Sequence, residues 1–135
     1  MEHPIMFDEH DPLLALVRRH ALAFPGAVET VTFGRPWYRA GGTGRAFAIY
    51  GGGTKGPEPV RHERALLVHV DEDERPARTA DPRFFVPAYL GPKGWLGIDL
   101  DDATDWVEVD ELLDASFRHL APRSLVAELD AQAVR

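Results

Sequence analysis

The sequence predicts a two-layer α+β domain, a mostly antiparallel sheet with helices at both ends of the chain, in the order α-β-β-β-β-α-β-α-α. Three observations carry this. Apolar residues recur at helical spacing near both ends of the chain. Short runs of β-branched and aromatic residues fill the middle. Glycine (12) and proline (11) punctuate those runs. A chain of 135 residues hides roughly two thirds of its surface on folding, enough for one autonomous core. One domain is expected over 1–135, with its core at about 12–130.

The first helix is expected at 12–24, since Asp11-Pro12 sets an N-cap acceptor ahead of a first-turn proline, and Leu13, Leu16, Val17, His20, Ala21 and Phe24 follow at helical spacing. Pro25-Gly26 stops it. Strands at 28–33, 37–40 and 46–50, separated by Gly34-Arg35-Pro36 and Gly41-Gly42-Thr43-Gly44, read as a meander. Four glycines and two prolines within 51–62 predict a long flexible connection. The next strand, 64–70, is nearly continuous in Leu66, Leu67, Val68 and Val70, which predicts a central or well-covered position. Asp71-Glu72-Asp73-Glu74 suits the positive end of a short helix reaching about 80. Phe84-Phe85-Val86 follows Asp81-Pro82, Pro87-Ala88-Tyr89 bends the chain, and 94–100 forms the last strand. Val109, Leu112, Leu113, Ser116, Phe117 and Leu120 mark an amphipathic helix that Ala121-Pro122 breaks before final turns through Leu125, Val126 and Leu129.

Catalytic chemistry is poorly supplied. The absence of cysteine excludes disulfides, a thiol nucleophile, Cys-ligated zinc and iron–sulfur centres. The only serines, Ser116 and Ser124, fall inside predicted helices. No two of His3, His10, His20, His62, His69 and His119 stand four residues apart, as a helical zinc pair requires. Gly51-Gly52-Gly53-Thr54-Lys55-Gly56 holds the letters of a phosphate loop in the wrong order and reads as a connection. Asp99, Asp101, Asp102 and Asp105 lack the glycine and terminal glutamate of a calcium loop, and read as a solvated strand end with a helix entry. No cofactor, no metal and no enzymatic activity are therefore expected. The apolar runs are short and Met1-Glu2-His3-Pro4 has no basic leader, so a cytoplasmic protein without membrane contact is expected.

Charge is the informative asymmetry. The net charge is −7, and residues 96–114 carry eight acids and no base. Residues 31–70 instead carry Arg35, Arg39, Arg45, Lys55, Arg61 and Arg64 against Glu58 and Glu63. Phe33, Trp37, Tyr38, Phe47 and Tyr50 are interleaved with those cations, a combination suited to phosphates and stacked bases. Strand alternation offers the opposite reading, in which half the rings are core and the arginines are solvated.

Phe24-Pro25-Gly26, Phe33-Gly34-Arg35-Pro36, Gly44-Arg45-Ala46-Phe47-Ala48, Pro87-Ala88-Tyr89, Gly94-Trp95 and Ser116-Phe117-Arg118 resemble, in order and spacing, the MmcQ/YjbR family over about 13–129. Asp81-Pro82-Arg83-Phe84-Phe85 resembles its actinobacterial-type branch. The resemblance implies a CyaY-like or secretion-chaperone-like two-layer fold and a DNA-binding label that rests on fold analogy. It transfers no catalytic residue. Gly44-Arg45 stands where the family usually has Gly-Lys, His69 falls near a position often lysine, and the 51–62 connection is longer than typical.

Two binding readings and one catalytic reading stay open. A non-enzymatic protein would contact DNA or RNA, weakly and salt-dependently, through Arg35, Arg39 and Arg45 with Trp37 or Tyr38 as a stacking platform. A small-molecule or protein-partner module would use Tyr89 and Trp95 as pocket walls and His69 as a polar contact. An enzyme would use His69 as acid or base.

Overall fold

In the computed structural model, which describes residues 3–133, helix α1 spans Pro12–Ala21. Asp11 caps it by accepting from the Leu13 N–H, and Leu13, Leu14, Val17 and Ala21 are its buried stripe. The helix ends one turn short of its expected limit, because the Leu22 N–H closes the last turn on Arg18 and residues 22–26 already turn towards the sheet.

Strands β1 (Ala27–Thr32), β2 (Arg35–Ala40), β3 (Ala46–Gly53) and β4 (Arg61–His69) form the antiparallel meander. Both ends of the connection read as flexible over 51–62 are strand, at 51–53 and 61–62. Gly52 and Gly53 face His62 and Arg61, since a β-ladder is made by backbone groups and tolerates side-chain-free residues, leaving only 54–60 as a loop. Reciprocal bonds between Thr54 and Val60 close that loop.

Helix α2 is only Arg75–Ala80; Asp71–Glu74 form a turn in which the Asp71 carbonyl receives the Glu74 and Arg75 N–H groups. A two-residue edge strand, β5 (Phe84–Phe85), precedes a 3₁₀ turn at Gly91–Lys93 and strand β6 (Trp95–Asp99). Helix α3 (Trp106–Leu120) starts at Asp105, whose carboxylate accepts from the Val107 and Glu108 N–H groups. Helix α4 (Arg123–Ala133) follows the break at Pro122.

The sheet order is β1-β2-β3-β4-β6-β5, every neighbouring pair antiparallel, so the α+β class and element order match the sequence expectation. The two central strands decide the burial. Ala48, Val68 and Leu96 form one cross-strand row, and Tyr50, Leu66, Ile98 and Phe84 another, both on the face beneath α1 and α3. There Phe47 meets Phe117 edge-on at 5.1 Å and both contact Phe24. The opposite face carries Trp37, Ile49 and Leu67, and among the described residues neither α1 nor α3 packs on it. Among the described residues no helix is long and apolar enough to cross a membrane.

Candidate functional site

The face away from α1 and α3 holds a groove of about 970 Å³. Its floor is Trp37, Ile49 and Leu67, which the β2-β3-β4 register places side by side. One wall is the β1–β2 turn with Phe33 and Met6, and the other is residues 87–90 with Tyr89 and Leu90. Bonds from the Ala88 N–H to the Gly53 carbonyl (2.8 Å) and from the Met6 N–H to the Gly34 carbonyl (2.9 Å) tie both walls to the sheet. The described lining includes Arg35, Arg61 and Lys93 and no carboxylate, against a chain charge of −7. Arg35 and Arg61 share Glu63 just outside the lining, at 3.6 and 3.7 Å, which leaves Lys93 as the lining cation without an acidic partner among the described residues.

Strand alternation sorts the predicted residues. Pro36, Tyr38 and Ala40 point beneath the helices, while Arg35, Trp37 and Arg39 share the open face. Tyr38 is fully buried, and burial pushes its hydroxyl well above the usual tyrosine range, so it is no stacking platform. Arg35 reaches Glu63 at 3.6 Å and the Met6 carbonyl at 3.5 Å, beneath Gly51. Arg39 spreads across β1, donating to the Thr30 and Thr32 hydroxyls and the Gly44 carbonyl, with its guanidinium carbon 5.3 Å from the Trp37 ring.

Arg45 and His69 stand away from the groove lining, at the other end of β3 and β4, which separates Arg45 from Arg35 in the predicted cationic patch and His69 from Tyr89 in the predicted pocket. His69 faces Trp95 across the β4–β6 ladder, edge-on at 6.5 Å, and its Nδ1 lies 3.1 Å from that of His119. Burial, then the neighbouring His119, Arg75 and Arg45 charges, hold its pKa below the ordinary imidazole value. Trp95 is not in the groove lining, so it walls no pocket with Tyr89. Of the eight predicted residues, Arg35, Trp37 and Tyr89 line the groove and Arg39 borders it.

The acidic stretch is spent locally. Asp105 caps α3, Asp99 meets His62 at 2.7 Å, Glu108 pairs with Arg83 at 2.7 Å, and Asp114 pairs with Arg118 at 2.7 Å.

Sequence reasoning placed Phe33 at the end of a strand, whereas it occupies the β1–β2 turn and forms a wall of the groove. The legible signal was an aromatic residue directly before glycine between two strands, where Asn or Asp is usual. Lys93, Ile49 and Leu67 carried no such signal, because only the sheet register shows that they meet.

Fold and groove together define a two-layer α+β domain with one sheet face packed and the other partly open. The chain belongs to the YjbR family, whose model matches residues 22–119, a narrower span than the 13–129 over which the motifs were aligned. No curated protein matches it.

Proposed function

We propose that this YjbR-family domain is a non-enzymatic binding module that takes a small organic ligand in the groove of the open sheet face. The observation that supports this best is the groove itself: an apolar floor, two aromatic walls and a lysine, Lys93, with no acidic partner among the described residues, at a volume typical of small-molecule sites. A binding role is favoured over catalysis because, among the described residues, the groove lining offers His3 as its one imidazole and no acid. We take the protein to act in the cytoplasm without a cofactor. The test is titration of labelled protein with a library of small organic fragments. Resonance shifts confined to Trp37, Ile49, Leu67 and Tyr89 are expected, and shifts confined to the Arg45 and His69 end would overturn the reading.

A second reading, single-stranded DNA or RNA in the same groove, is favoured by Arg39 lying over Trp37 beside Phe33, a ring on which a base could stack next to a positive charge. It requires oligonucleotide binding at low ionic strength that decays with added salt and is cut by Arg39→Glu; no binding at low salt removes it.

A further inference from the structure

Among the described residues only two that are not glycine adopt a positive φ: Phe33 at 51° and Tyr89 at 66°. Both are large exposed aromatics, at 62% and 77% relative exposure, and both line the groove. They come from unrelated pieces of chain, so a single local accident does not explain the coincidence.

Phe33 and Gly34 are the central residues of a two-residue hairpin turn closed by the Thr32 and Arg35 pair, and both have φ above zero, as a type I′ turn demands. The first central position favours Asn, Asp or Gly, and a bulky ring there is strained. Tyr89 is the middle of a three-residue turn closed by the Leu90 N–H on the Ala88 carbonyl at 2.7 Å. With its positive φ this is the rare, strained form of the γ-turn. Neither ring repays the strain by filling the core. Strain held at exposed side chains that face one cavity is a mark of a working site.

The charges around these rings choose the ligand. Lys55 sits 5.0 Å from the Tyr89 ring, and Lys93, three residues after Leu90, lies in the lining; neither has an acidic partner among the described residues. Arg35 and Arg61, by contrast, share Glu63. The uncompensated positive charge therefore stands at the Tyr89 wall, and a cation caught between aromatic faces would meet like charge there.

We infer that the groove is a clamp for planar aromatic anions: Phe33 and Tyr89 are recognition residues that hold the ring over Trp37, and Lys93 with Lys55 receives the carboxylate or phosphate. This rests on the groove being the binding site and adds the chemistry of what it binds.

The test compares four probes by chemical-shift titration and calorimetry: 2-naphthoate, 2-naphthylmethylammonium, decanoate and adenosine monophosphate. Naphthoate or the nucleotide is expected to bind at the groove at least about fivefold more tightly than decanoate or the naphthyl cation, in line with one or two ring contacts. The tighter of the two aromatic anions tells an aryl acid from a nucleotide as the natural source. Decanoate binding as well as naphthoate overturns the clamp while leaving the groove reading intact. Preference for the naphthyl cation also overturns it, and no groove shift with any probe ends both readings.

Phe33→Gly gives the independent readout. Glycine suits the turn, so the melting temperature should hold or rise while naphthoate affinity drops about fivefold or more. A lowered melting temperature with unchanged affinity makes Phe33 a structural residue and overturns the inference. Lys93→Gln is expected to weaken naphthoate about fivefold or more without weakening the naphthyl cation; equal affinity for naphthoate in both proteins overturns the assignment of the anion contact.

Discussion

The hydroxyl of Ser116 donates to the carbonyl of Phe47 at 2.6 Å, and the same oxygen accepts from the His69 N–H at 2.9 Å. The β3–β4 ladder has its last pair at Ala48 and Val68, and one step further Phe47 and His69 would face each other. The fully buried serine of α3 stands between them and replaces that rung. One hydroxyl thus fastens the helix layer to both central strands. Ser116→Ala leaves a donor and an acceptor without partners at a covered position, so a loss of roughly 2–4 kcal/mol is expected. Urea unfolding with an unchanged m-value checks it.

A second link joins α1 to β3. The hydroxyl of Tyr50 donates to the carboxylate of Asp11, whose other oxygen caps the helix at the Leu13 N–H, and Arg64 stands 3.6 Å away. Asp11→Ala removes the cap and orphans a buried phenol, at a cost of about 2–4 kcal/mol. Tyr50→Phe keeps the cap and should cost about 1–2 kcal/mol. Equal losses in the two variants, measured by denaturant titration, would deny Asp11 its double role.

The parts of the fold that depend on local rules were legible in the sequence: Asp11-Pro12 and Asp105 as helix starts, Pro122 as a break, and the Leu66 to Val70 run as a central strand. Pairing was not. Gly52 and Gly53 look like loop residues because they have no side chains, yet β4 supplies their partners from the far side of the hairpin. The same gap hid the site. Alternation fixes that Trp37 and Tyr38 take opposite faces, but the face that receives helices depends on where α1 and α3 dock, so Tyr38 was counted as a surface ring. Arg45 was grouped with Arg35 and Arg39, and His69 with Tyr89 and Trp95, but β3 and β4 carry Arg45 and His69 to the end away from the groove.

The His69 neighbourhood predicts a pH dependence. Burial disfavours its proton most, the neighbouring His119, Arg75 and Arg45 charges add to the penalty, and Asp71 opposes it weakly. Its folded pKa therefore lies below the unfolded value of 6.5, so the unfolded chain takes the proton first as the pH falls. Stability from this residue is complete above 6.5 and is lost as the pH descends from there towards the folded value. His69→Gln should flatten that slope while leaving stability at pH 8 nearly unchanged. Urea midpoints of both proteins between about pH 8 and pH 5 provide the comparison, and parallel curves would refute the assignment.

Gly51 connects stability to the groove. It lies at an irregularity in the β3–β4 register with φ at 85°, and a β-carbon there would stand 2.3 Å from Nη1 of Arg35 and 3.2 Å from the Glu63 carbonyl oxygen. Alanine consequently meets two penalties at once, a left-handed backbone and a guanidinium it must displace. The side chain can swing away, but the Glu63 carbonyl is part of β4 and has little room to retreat. A loss of about 1–3 kcal/mol is expected for Gly51→Ala. Arg35 would leave its place beside Met6 and Glu63, opening the β2 side of the groove. Gly56→Ala is the control: its φ of 125° is equally unsuited to alanine, but nothing lies near the added carbon. Both variants should lose stability through the backbone, and only Gly51→Ala should shift the amide resonances of Met6 and Trp37. Identical spectra around Met6 in the two variants would show that Arg35 is not held by the glycine.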